Sequence, residues 1–274
     1  MKRQRDLNKH SLVFLFAHLC LMSFAAPTPK SPPPWEIHDH QFKQRHLLPM
    51  AEKALAGYRE YYQRFPDNPE VAYRLSMACQ YFGHRIATRS SDKLNYFREG
   101  RDVGKKAVTT DPTCGPCQFW AGINMALYGE TKGIIQSIAT LKYIVEYLEA
   151  AARLSPGYAY GGAYRVLGLI EVALPGILGG SYDEAEAYFK KAISEAPENP
   201  LNYFVLAKLF RDHLDQPEQA FQTARKGLSY PRPQAGEVES REAWDQLQQM
   251  VGAQKLISES VTSNGSNYAT APLP

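Results

Sequence analysis

The chain has 274 residues, 44% of them hydrophobic, with a mean hydropathy of −0.40; that is enough apolar material for a substantial core and too much for wholesale disorder. Its formal charge of +3 sits wholly in the first 25 residues, where Lys2, Arg3, Arg5 and Lys9 face only Asp6. The remainder is neutral and offers none of the clustered basic excess by which proteins bind nucleic acid or anionic membranes.

Residues 1–25 read as a secretory signal: a basic start, an apolar run from Leu12, and small residues Ser23 and Ala25 before an expected cut after Ala25. The run is too short for a membrane span, and Leu19 before Cys20 lacks the small side chain that lipoprotein processing needs. The mature protein is therefore expected in an extracytoplasmic compartment, most simply a bacterial periplasm, where thiols can oxidise. Residues 26–38, opening with Ala-Pro-Thr-Pro-Lys-Ser-Pro-Pro-Pro-Trp35, read as an extended linker. His38, His40 and His46 follow, but no second half of a tetrahedral metal set is visible, so they read as the polar start of a first helix.

From Leu47 the apolar residues recur at spacings of three and four. Ala54, Tyr58, Tyr61 and Pro66 stand at offsets 0, 4, 7 and 12, the spacing of the small–aromatic–small–Pro pattern at Ala185, Phe189, Ala192 and Pro197. This is the spacing of the second helix of a tetratricopeptide repeat, in which small residues let a neighbouring helix approach and proline follows the helix end. Helices are expected from Glu70, after Ser90-Ser91-Asp92, from Cys114, along the stripe Ile134 to Ala152, on either side of Leu174–Gly180, from Tyr203, over Pro217–Leu228 and, as a cap, over Arg241–Ser258. Gly100 and Gly104 stand where packing residues belong, a poor match to the motif. Residues 39–258 thus form an all-α array of tetratricopeptide-like helical hairpins (an α-α superhelix), and the polar residues 259–274 read as a disordered tail.

The unit-ending prolines Pro66, Pro112, Pro156 and Pro197 are 46, 44 and 41 residues apart, against about 34 in a standard repeat. The surplus falls between the paired helices, so extended inserts should protrude from one edge. The glycine pairs Gly161-Gly162 and Gly179-Gly180 lack phosphate-loop spacing and read as turn and packing residues.

Cys114-Gly-Pro-Cys117 has the four residues of a thioredoxin active site, but a helix rather than a strand precedes it. A structural disulfide or a pair of thiols capping a helix is the expected role; a thiol–disulfide redox protein is the alternative function. No nucleophile–base pair, metal set or cofactor motif presents itself, so the chain reads as a non-enzymatic binding protein. Counting from the repeat landmarks places Tyr73, Met77, Phe119, Ile123, Arg165, Leu169, Phe204, Lys208 and Arg211 on the inner face, an apolar–aromatic wall with three cations near one end. Such a wall suits a carboxylate-bearing ligand or an acidic–apolar peptide segment, with Arg165 either gripping the charge or neutralised by Glu171.

Gly161–Gly168, Leu174–Gly180, Asp183–Lys191, Pro197, Asn202 and Ala207 together resemble the T-component of TRAP-type transporters, the TatT-like periplasmic helical-repeat proteins. The resemblance implies an all-helical protein, in some members a homo-oligomer, that associates with a periplasmic solute-binding subunit and helps pass small organic acids or hydrophobic ligands to a permease.

Overall fold

The structure, a computed structural model, describes residues 35–266. The expected leader 1–25, the linker up to residue 34 and the tail beyond 266 lie outside the described residues. Those described form helices without strands: α1 (Glu36–Lys43), α2 (Leu48–Arg64), α3 (Pro69–Tyr81), α4 (Ser90–Thr110), α5 (Gly115–Lys132), α6 (Ile134–Leu154), α7 (Gly162–Ala173), α8 (Tyr182–Glu195), α9 (Pro200–Asp212), α10 (Pro217–Leu228) and α11 (Val238–Ser266). None of them is long and apolar enough to cross a membrane.

Two boundaries differ from the sequence expectation. The first helix begins at Glu36, inside the expected linker, because Trp35 lies against the Arg74 guanidinium and anchors the chain there. The last helix runs to Ser266, through the first residues of the expected tail.

Local chemistry starts and stops these helices where the sequence indicates. Asn68, Ser181 and Asn199 each accept a hydrogen bond from a first-turn amide (Glu70 N, Glu184 N and Leu201 N), and Pro69, Pro200 and Pro217 open helices where no intrahelical donor is needed. Consecutive helices pair as hairpins: α1–α2, α3–α4, α5–α6, α7–α8 and α9–α10, with α11 packed on α9 and α10. The first helices also touch along the array, α3 on α5 and α7 on α9, forming its inner layer.

Buried side chains run through this stack from Tyr58 and Leu75 through Leu148 to Phe189, Leu209 and Leu247. The two glycines that spoil the repeat motif are explained by close approach. A Cβ on Gly104 would stand 2.9 Å from the Ala121 Cα, and one on Gly100 would stand 2.6 Å from the Asn124 carboxamide. Glycine therefore sets the distance between α4 and α5.

The expected inserts take two forms. Between α3 and α4 the chain makes a π turn at Phe82–Ile86, and between α7 and α8 a short 3₁₀ turn at Gly176–Leu178. Between α5 and α6 the surplus is helix itself, 18 and 21 residues long, with only Gly133 between them. The tips carry exposed Ile134, Ile135 and Ile177.

Candidate functional site

The expected inner-face residues divide into three groups. Tyr73, Met77 and Ile123 are half-buried on the inner layer, with the Tyr73 ring edge-on to Tyr158 at 6.3 Å. Phe119 is core: it is buried against Trp120 and Tyr158, with Gly162 close enough that a Cβ there would stand 3.0 Å from its ring. Tyr158 is held in turn by the Trp120 indole N–H, which donates to its hydroxyl at 2.7 Å. Leu169 is exposed.

Phe204, Lys208 and Arg211 line a cavity of about 480 Å³ whose far wall is Gln246, Gln249, Met250 and Ala253 of α11. Asp212 neutralises both cations, at 3.7 Å from Lys208 and 2.5 Å from Arg211. Arg165 is not part of this cavity, so the three expected cations do not form one cluster.

Arg165 has a different setting. Ala159 and Tyr160 have φ of 51° and 58°, and Gly161 follows at 71°, a left-handed turn that only glycine adopts without strain. The Arg165 guanidinium donates to the Tyr160 carbonyl at 3.1 Å, the Ala159 carbonyl at 3.3 Å and Asn202 Oδ1 at 2.6 Å. It thus clamps the strained turn to the next hairpin. Glu171, the alternative partner, instead accepts from the Ser181 amide. Burial pulls the Arg165 pKa down to about 10, and the one carboxylate whose field opposes that shift is Glu239.

Glu239 opens the part of the structure that the repeat register did not reveal. The segment Gly236–Glu242, at the start of α11, touches the junctions of several hairpins. Gly236 abuts the Lys43 carbonyl, and Glu239 pairs with Arg45 at 2.9 Å, next to the first hairpin. Glu242 takes a two-pronged bond from Arg85 of the π turn, at 2.9 and 2.8 Å. Glu237 accepts from the Tyr160 hydroxyl at 2.8 Å, and Ser240 accepts from Asn199 at 2.9 Å.

Two arginines from two hairpins, Arg45 and Arg85, therefore flank Glu239. Burial would raise its pKa, but Arg45 and then Arg85 outweigh that and hold the carboxyl below its ordinary range. The seating is incomplete. Arg85 Nε is buried without a hydrogen-bond partner, 3.9 Å from the nearest Glu239 oxygen, and Trp244 Nε1 is likewise buried and unpaired. Sequence reasoning found Arg165 and missed Arg45, Arg85 and the glutamates; the available signal was the density of Glu in Gly236-Glu-Val-Glu-Ser-Arg-Glu242, just before the capping helix.

Cys114 and Cys117 form a disulfide across the first turn of α5, where the Cys114 sulfur also accepts from the Cys117 amide. The Cys117 sulfur is buried against the Pro69 carbonyl. Cys79 is a buried free thiol with its pKa raised by burial. His38 packs against Gly57 and the Tyr58 ring and bonds Gln41, a structural position.

Stacked hairpins with an inner layer of first helices define a tetratricopeptide-like repeat protein. A solved thermophilic TPR protein of Thermus thermophilus has the same fold, at a TM-score of 0.56 and 20% identity over 76% of this chain and 98% of that one. A family model described as regulator of microtubule dynamics protein 1-3 matches residues 38–169. Regulator of microtubule dynamics protein 2 of Mus musculus, and that of Rattus norvegicus, are each 24% identical over 209 residues, covering 70% of this chain and 49% of the relative. The chain thus spans about half the length of the curated relatives it matches.

Proposed function

We propose that this protein is a non-enzymatic interaction scaffold that holds a segment of a protein partner on the inner layer of its helical array. The observation that carries the reading is that layer itself: the first helices carry half-buried Tyr73, Ile123 and Phe204, on a repeat fold that buries its core between hairpins and leaves an extended surface for contact. A small organic acid is a poorer candidate, because Asp212 already neutralises the cations of the one cavity that Lys208 and Arg211 line.

Two finer readings differ in partner. The matched family model and the names of the two rodent relatives favour a part in regulating microtubule dynamics. The resemblance to a TRAP T-component would instead require a periplasmic solute-binding subunit and a cleaved leader, and none of the similar proteins supports transport. Proximity labelling with the full chain, beside an Ile123→Arg variant that alters the inner layer, tests the scaffold reading. A partner recovered by the wild type and lost by the variant supports it; identical partner sets from both defeat it. Co-sedimentation of the purified chain with polymerised tubulin then tests the finer reading, which fails if the chain stays in the supernatant and leaves polymer growth unchanged.

A further inference from the structure

The row of hairpin junctions bordering the inner layer is already occupied by part of its own chain, and the chemistry of the occupant is informative. We infer that this face is a docking groove for an acidic segment of a partner protein, and that Gly236–Glu242 fills the groove in cis until such a segment displaces it. The inference rests on the scaffold reading and names the partner's chemistry.

Three observations support it. The first is charge complementarity: Arg45 and Arg85 converge from separate hairpins, the Tyr160 hydroxyl extends the row, and what they hold are the carboxylates of Glu237, Glu239 and Glu242. Carboxylates at this spacing are a general polypeptide feature that a partner can reproduce. The second is how the segment is attached. Apart from the Gly236 backbone against the Lys43 carbonyl, its contacts to the first two hairpins are ion pairs with partly exposed partners, the glutamate side chains being 38% and 50% accessible, whereas the apolar anchors of α11, Ala243 and Leu247, lie further along the helix. The first turn can therefore leave while the rest of α11 stays. The third is the imperfect fit. Arg85 Nε is buried and unpaired, with a Glu239 oxygen 3.9 Å away, beyond hydrogen-bond reach. A carboxylate placed about an ångström closer would satisfy a donor that the cis segment leaves unmet.

The test is fluorescence anisotropy on the full chain with a labelled synthetic peptide of residues 234–245, beside the same peptide carrying Gln for Glu237, Glu239 and Glu242. In the variant Glu237→Gln/Glu239→Gln/Glu242→Gln the cis competitor is weakened, and the acidic peptide should bind at least about tenfold more tightly than to the wild type, a difference of about 1.4 kcal/mol. The glutamine peptide should not bind, and adding Arg45→Ala/Arg85→Ala should return binding to the wild-type level or below. Equal affinity of the triple variant and the wild type, or equal binding of both peptides, overturns the inference.

Should the triple variant fail to fold, hydrogen exchange on the wild-type chain decides. Saturating acidic peptide should expose the amides of residues 236–244, and unchanged protection overturns the proposal. A partner lost by Ile123→Arg but indifferent to the arginine variants would sink the acidic-segment inference and leave the scaffold reading standing. Peptide binding with no inner-face partner would do the reverse.

Discussion

Replacing Gly104 with alanine sets two opposed effects of known size against each other. Gly104 lies in the interior of α4, where Gly→Ala removes an entropic penalty of about 1 kcal/mol and should stabilise the helix. The new Cβ, however, would stand 2.9 Å from the Ala121 Cα and 3.1 Å from its Cβ, about an ångström inside contact distance. Both obstructing atoms lie at the root of their residue, so no rotamer change clears them and α4 must move off α5. Overpacking of this kind costs about 1–3 kcal/mol, and the fixed neighbour argues for the upper half. The expected net effect is a loss of about 1–2 kcal/mol, or a fall in Tm of about 2–8 °C for a domain of this size. Gly252→Ala on α11 is the matched control, because nothing lies within 4 Å of its Cβ position; it should gain about 1 kcal/mol from propensity alone. Thermal melts followed by circular dichroism on the two variants decide. A Gly104→Ala protein that melts at or above the wild type would refute glycine as the spacer between these helices.

Arg165→Lys keeps the charge but cannot span the Ala159 and Tyr160 carbonyls and Asn202 together, so urea unfolding should show a loss of about 2–3 kcal/mol; unchanged stability would mean that charge alone matters there. The folded pKa of Glu239 is depressed, so its pairing contributes stability above the ordinary glutamate value of about 4.3 and loses it as pH falls through the folded value. Tryptophan emission should accordingly report a transition below the ordinary glutamate range that Glu239→Gln removes; its persistence in that variant would assign it elsewhere. Cys114→Ser/Cys117→Ser opens a four-residue loop, which limits the cost to about 2 kcal/mol on loop-entropy grounds. The wild type should not reduce insulin with dithiothreitol, and measurable turnover would revive the redox alternative.

The fold was legible because its determinants are local. Periodicity, the prolines at Pro69, Pro200 and Pro217 and the caps at Asn68, Ser181 and Asn199 all act within one or two turns, so the hairpins fall where the sequence places them. Gly100 and Gly104 looked like defects because the motif describes one helix at a time, whereas their reason is the backbone of the next helix. The inner face was half legible. Counting registers put Tyr73, Ile123 and Arg165 on the right helices, but it could not show that Phe119 turns into the core under Gly162, nor that the Arg165 guanidinium is held by the left-handed turn just upstream. Arg45 and Glu239 are 194 residues apart, and no period within the chain encodes their meeting.

That long-range closure explains how a body with no net charge can still have an electrostatically organised face. At this contact the charges lie on two surfaces, Arg45 and Arg85 at the hairpin junctions and Glu239 and Glu242 on the first turn of α11, which cancel when they meet. The stability of a repeat array is a sum of contacts between neighbours, and closing its ends adds a contact that the sum does not require. Here the helix is anchored by Leu247 and Ala243, buried against the last hairpin, while its first turn reaches the first two hairpins through ion pairs with partly exposed partners. Exposed pairs contribute about 0–1 kcal/mol each, whereas the buried leucine anchor is worth several times that. The two halves of one helix therefore differ in what holds them, and the weaker half is the one lying on the arginines. An array closed by apolar contact would resist opening at every pH and salt concentration; one closed by charge opens where charges are screened, protonated or better matched by another chain.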